Sequence, residues 1–329
     1  MTGKAIVAVM MCVALALSSC GSVFDDLDPC PGGVRMRFVY DYNLESANAF
    51  PAQVDCLTLH IYDTDGNFVT TVTETTDVLA DENWRMTIDL APGHYRAIAY
   101  GGIACSDASF AHTAEPAKGS HYSAIAMQLA PEKVGTRLHD HFHGAVDFDI
   151  DPNALDYTEE TLHMSKTTNH IRILLQQLNG DPVDGRDFEF YITDDNTVLD
   201  HANMPVAGHA TTYPAWQTGF LSTATDPENR ADGALQDVQV GFGDLSTSRL
   251  HFDTGARLRI FSKEQQRNVA ELPLNSYLAM CNNYDYSDQE FLDRCSHYTL
   301  AFFLDESDHW VRMEIRVLGY TVRINNIEM

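Results

Sequence analysis

Apolar residues recur at every second position through much of this chain, and that spacing commits it to sheets with one wet face. Val34, Met36, Phe38 and Tyr40 share one side of the run 34–40. Trp84, Met86, Ile88 and Leu90 alternate with polar neighbours, and Val146, Phe148 and Ile150 face away from Asp147 and Asp149. Turn residues separate the runs. Asp63-Thr64-Asp65-Gly66-Asn67 divides Leu57–Tyr62 from Phe68–Val72, which predicts a hairpin. Ala91-Pro92-Gly93-His94 turns the chain before Tyr95–Tyr100. Short strands at this spacing predict a β-sandwich.

Strand signals lapse across 151–156 and resume at His170–Leu178. They continue through Phe188–Ile192, Val238–Phe242, Ala256–Phe261, Tyr298–Leu304 and Tyr320–Ile327. The reading is all-β, two consecutive sandwich domains covering 33–156 and 157–329. The clearest helix signal is 287–294, opened by a Ser287 cap.

Before the first strand lies a different kind of segment. Lys4 precedes an apolar run from Ala5 to Leu17, then Ser18-Ser19-Cys20-Gly21. A positive start, an apolar stretch and small residues form a secretory signal peptide, here 1–19. Cys20, directly after Leu17-Ser18-Ser19, looks like the lipobox cysteine of bacterial lipoproteins, acylated on its sulfur and on its new amine. Several chains, each buried CH₂ contributing about 0.8 kcal/mol, make membrane attachment nearly permanent. Residues 20–32 then serve as a lipidated linker, in which Asp25, Asp26 and Asp28 resemble a surface-export signal of Bacteroidetes lipoproteins.

The formal charge of −26 argues against nucleic acid and anionic lipid surfaces as partners. With Cys12 cleaved and Cys20 acylated, Cys30, Cys56, Cys105, Cys281 and Cys295 remain. Five leaves at least one thiol free. Cys281 and Cys295 are near enough in sequence to suspect a bridge, and each is equally readable as a small buried hydrophobe. No CxxC pair is present.

Signatures of catalysis are missing: no phosphate-binding loop, dinucleotide fingerprint, HExxH or GxSxG occurs. The best metal candidate is His139, His141 and His143, which on a strand would point one way at about 7 Å spacing. A solvated loop is the bland alternative. Arg172, Arg257, Arg259, Arg312, Arg316 and Arg323 alternate with strand apolars and read as solvent-facing charge guarding sheet edges. Trp84, Trp216 and Trp310 raise the option of a sugar-stacking surface, although Trp84 alternates like a core residue.

The ordered segments carry a family likeness. Asp28-Pro29-Cys30-Pro31-Gly32-Gly33 behind the lipobox, Asp41-Tyr42-Asn43, Val54–Leu59 with its Asp65-Gly66-Asn67 turn, Tyr100-Gly101-Gly102, Phe188–Asn196, Gln289–Arg294 and Thr321–Asn325 occur in an order that resembles the FimB-type fimbrial anchor subunits of Bacteroidales. His141 and His143 stand where relatives would carry an apolar and an aromatic residue, so the triplet looks like local variation.

The resemblance implies two transthyretin-like β-sandwich domains, no enzyme activity, and an outer-membrane lipoprotein that holds a fimbria at its base and limits its length. The major fimbrial subunit and the membrane are then the partners, with no cofactor, metal or small-molecule substrate. Such subunits assemble by strand addition, which takes affinity from backbone hydrogen bonds and specificity from side-chain pockets. On this reading the first strand stays in place, and Val322, Ile324 and Ile327 of the terminal segment contact the last fimbrial subunit. The competing possibilities are a tail folded onto its own sheet and, for the whole protein, a tip or accessory adhesin binding host protein or glycan.

Overall fold

The computed structural model describes residues 32–222, 238–317 and 320–325. The signal peptide, Cys20, Cys30 and Ile327 lie outside these residues.

Ten strands fill the first half: β1 (Gly33–Val39), β2 (Leu57–Asp63), β3 (Phe68–Glu74), β4 (Met86–Asp89), β5 (Gly93–Gly101), β6 (Phe110–His112), β7 (Ala126–Leu129), β8 (Phe142–Ile150), β9 (Thr158–His163) and β10 (Ser165–Lys166). One short helix, α1 (Phe50–Gln53), precedes β2. A three-stranded sheet in the order β4-β1-β9 faces a five-stranded sheet in the order β10-β8-β5-β2-β3. The alternating residues meet between them: Val34, Met36 and Phe38 of β1, Leu57, Leu59 and Ile61 of β2, Phe148 and Ile150 of β8. Each such side chain, fully buried, contributes roughly 1.5–3 kcal/mol.

Both faces of β2 are covered. Thr58, His60 and Tyr62 point to its other side and are also buried. A small sheet, β13-β7-β6, lies in that region, with β13 (Val198–Asp200) coming from the second half of the chain. Tyr62, Ile98 and Tyr100 consequently belong to the same core as the second half.

That half contains β11 (Asn169–Gln177), β12 (Phe188–Asp194), β14 (Thr211–Pro214), β15 (Gln217–Ser222), β16 (Gln239–Thr247), β17 (Arg257–Ser262), β18 (Arg267–Pro273), β19 (His297–Leu304), β20 (Trp310–Val317) and β21 (Tyr320–Asn325). A six-stranded sheet, β15-β16-β11-β19-β20-β21, packs on a four-stranded sheet, β14-β12-β17-β18. Ile173, Phe190, Ile260, Phe302 and Ile315 are among the residues enclosed. Helices α2 (Leu274–Ala279) and α3 (Asp288–Arg294) close one end, and Ser287 caps α3 by accepting a hydrogen bond from the Glu290 amide, as the sequence predicts.

The architecture is all-β, and the predicted hairpin is β2–β3. Sheet membership changes later than the lapse in strand signals: β9 runs parallel to β1, and β10 pairs with β8. The chain enters the six-stranded sheet only at Asn169.

The suspected Cys281–Cys295 bridge is absent. Both thiols are free and buried, and burial pushes Cys281 up to about 12 and Cys295 to about 11. Cys56 is instead joined to Cys105, which lies 49 positions away in the loop after β5.

Candidate interaction surface

The terminal strand β21 pairs antiparallel with β20, Val317 opposite Tyr320 and Arg312 opposite Asn325. It ends its sheet, so its outer backbone groups have no neighbouring strand among the described residues. Val322 and Ile324 are partly buried and pack against the core of their own sheet. Tyr320, Thr321, Arg323 and Asn325 are exposed. Of the three expected contact residues, two thus lie side by side on one strand with their side chains turned inward; the strand's free feature is its edge.

Arginines knit this edge to the sheet face. Glu314 on β20 is 5% exposed. It takes a bond of 3.1 Å from Arg316 and one of 3.0 Å from Arg323, with Arg312 at 3.9 Å. The arginines that alternate along these strands are therefore paired, which offsets the cost of sinking a carboxylate into the sheet. Arg257 likewise pairs with Glu271, and Arg259 lies over the Tyr191 ring.

From β21 the register runs inward across a polar row: Thr321, Arg316, Thr299, Arg172, Asp244 and Gln217 occupy adjacent positions on successive strands. Arg316, Thr299, Arg172, Asp244 and Gln217 of this row floor a cavity of about 550 Å³, walled by Arg137, His170, Trp216 and His297. Arg172 grips Asp244 with two bonds of 2.7 Å, and this partner raises the guanidinium pKa further. Burial, together with the charges of Lys166, His170 and Arg137, lowers His297 to about 4, so it is neutral at pH 7. Beside it, buried Lys166 and His170 both bond Asp140, at 2.6 Å and 2.9 Å. The volume falls within the roughly 300–1,000 Å³ of small-ligand sites, and the lining suits a carboxylate or a hydroxyl-rich group.

The histidine triplet is split. His139 and His141 precede β8 and only His143 lies on it. His141 is buried against Phe110 and Tyr100, with Nδ1 bonded to the Thr167 hydroxyl. His143 bonds the His201 carbonyl. His139 turns elsewhere, to Asp55 and Asp107. The tryptophans are dispersed too: Trp84 stacks on Phe38, Trp310 meets Phe302 edge-on, and only Trp216 borders the cavity.

No helix among the described residues is long and apolar enough to cross a membrane. Among curated proteins no significant relative is found. Solved structures are informative. A candidate adhesin from Bacteroides thetaiotaomicron VPI-5482 is 39% identical, with a TM-score of 0.82 over 91% of this chain and 100% of that one. A candidate polysaccharide-binding protein from the same organism is 28% identical, with a TM-score of 0.73 over 89% and 98%. The fimbrial anchor protein Mfa2 of Porphyromonas gingivalis, 14% identical, shares the fold at a TM-score of 0.65 over 89% and 99%. The family described as fimbrillin-A associated anchor proteins Mfa1 and Mfa2 matches residues 27–326. That family is structural, tied to cell-surface fimbriae and adhesion, and is not a known enzyme family. The chain, matched nearly end to end, belongs to the fimbrillin-A associated anchor proteins.

Proposed function

We propose that this protein is an outer-membrane lipoprotein, held by acyl chains on Cys20, that anchors a fimbria at its base and limits its length by binding the last subunit through strand addition. The observation that carries the reading is the seat of β1. It lies between β4 and β9, and Val34 and Met36 are fully buried. About a dozen residues link it to the lipid. Losing β1 would open its sandwich and cut the anchor together, so a chain with this layout keeps its first strand. Assembly then falls to another edge, and β21 offers one: Val322 and Ile324 shape the strand from inside, and Ile327 extends the same segment. We read the two sandwiches as serial domains, the first bearing the lipid and ending with β10, the second, from Asn169, meeting the fimbria.

The test replaces Cys20 with alanine and compares cell-bound with shed fimbriae by microscopy. Shed, overlong fimbriae are expected. Firmly attached fimbriae of normal length would defeat the anchoring role and leave the lipid as an export signal. A second reading, an adhesin that binds host protein or glycan, draws on the arginine-rich cavity and on the candidate adhesin that is 39% identical. It predicts that Cys20→Ala leaves fimbriae attached while Arg172→Ala abolishes adhesion.

A further inference from the structure

His139, the residue of the triplet that leaves its neighbours, enters a different constellation. Its Nε2 lies 3.2 Å from Asp55 Oδ1, and the same oxygen is 3.1 Å from Cys105 Sγ. With Cys56 Sγ these four atoms all lie within 4.8 Å of one another. On the far side of the ring, Asp107 Oδ1 is 3.2 Å from Nδ1.

Two sulfurs, an imidazole and a carboxylate are a zinc donor set. Bond lengths of about 2.0–2.3 Å place tetrahedral ligands roughly 3.3–3.8 Å apart, and the separations of His139 Nε2 and Cys105 Sγ from Asp55 Oδ1 already sit close to that range. The carboxylate of Asp107 behind the imidazole is the usual outer partner of a metal-bound histidine: it fixes the proton on Nδ1 and turns Nε2 to the metal. One feature excludes zinc from the oxidised chain. Cys56 and Cys105 are bonded to each other, and disulfide sulfurs are not thiolates.

We propose that Asp55, Cys56, Cys105 and His139 form a zinc site that opens when the Cys56–Cys105 disulfide is reduced. Two molecules of an external thiol supply the electrons. The Cys56–Cys105 bond breaks, each sulfur gains a proton, and the external thiols leave joined as their own disulfide. Zinc then displaces both protons to solvent and binds the two thiolates, His139 Nε2 and Asp55. The metal takes over the covalent bond's task of tying the start of β2 to the loop after β5. Cys281 and Cys295 lie apart from this group, buried in the core of the second half.

The experiment is a titration of the full-length chain in detergent with zinc chloride, before and after reduction by a phosphine. Cobalt(II) serves as a second probe, because bound thiolates give it charge-transfer absorption. The reduced chain is expected to take up a single zinc at this site, and the oxidised chain none over the same range. His139→Gln, which retains both cysteines and so folds through the intact disulfide, is expected to weaken reduced-state binding. Asp107→Asn should weaken it roughly 10–100-fold. Equal binding by the oxidised and reduced chains would overturn the proposal. So would zinc uptake by the reduced chain that is indifferent to both His139→Gln and Cys105→Ser.

Discussion

His60 and His112 meet in the interior with their Nε2 atoms 3.0 Å apart, so one nitrogen must be bare to accept the other's proton. Tyr100 packs against both rings and against His141 and His143. The first half thus gathers four histidines around Tyr100, three of them buried.

Acid should dissolve this arrangement. Burial, with the neighbouring imidazole, lowers His60 to about 3; burial and nearby imidazoles lower His141 to about 3; and burial lowers His143 to about 4. All three start from 6.5 in the unfolded chain, which therefore binds more protons as pH falls below that value. Stability is complete above about 6.5 and declines down to the folded values, each histidine removing on the order of 1–2 kcal/mol by pH 5. Asp194, raised to about 6 by burial, works weakly in the opposite sense. Urea midpoints at pH 7.5 and pH 5 check this, and equal midpoints would contradict it.

Loss of the Cys56–Cys105 bond frees a loop of 49 positions. Chain entropy assigns such a closure about 4 kcal/mol, of which measured cases deliver some 2–4. Cys105→Ser in zinc-free buffer should lower unfolding stability by that amount. Denaturant titration of oxidised and mutant protein measures it.

Arg249 donates two bonds, of 2.7 and 2.8 Å, to Asp293, and both side chains are nearly buried. Removing one partner strands a charge. Asp293→Ala should cost roughly 3–5 kcal/mol, whereas the double variant Arg249→Met with Asp293→Leu should recover most of the loss. A double variant no more stable than the single one would show that the pair acts through its other bonds, including that from Arg249 to the Asn203 carbonyl.

Strand β21 should open before its sheet does. It has one neighbour, and its inward side chains are only partly covered, whereas β19 is flanked on both sides and Leu300 and Phe302 are fully buried. Amide exchange in 320–325 is expected to outpace that in 298–303 by well over tenfold. Phe302→Ala should cost about 3–5 kcal/mol, and Val322→Ala roughly 1 kcal/mol. Similar exchange in both segments would remove the case for an accessible edge.

Much of this was legible because a strand records its two faces in its own residues. Val34, Met36 and Phe38 announce a buried side, and Ser287 announces the start of α3. What a strand does not record is its partner. Nothing local to Thr158–His163 says that it runs parallel to β1, and nothing near Cys56 points to Cys105. Nearness in sequence favoured Cys281 with Cys295, yet both stay free thiols buried in one apolar core. His139 was set aside with its triplet as local variation, and its companions were sought at adjacent alternate positions. They arrive from Asp55 and the loop after β5, joined through sheet pairing that no spacing rule reveals.

The placement of β1 also has a mechanical meaning. Tension applied at the chain's N-terminal end runs along the axis of this strand, which is clasped by antiparallel β4 and parallel β9. Rupture along that axis must shear both rows of hydrogen bonds nearly at once, whereas a peeling pull would part them singly. A strand clasped this way resists a steady axial drag far better than a peeling one.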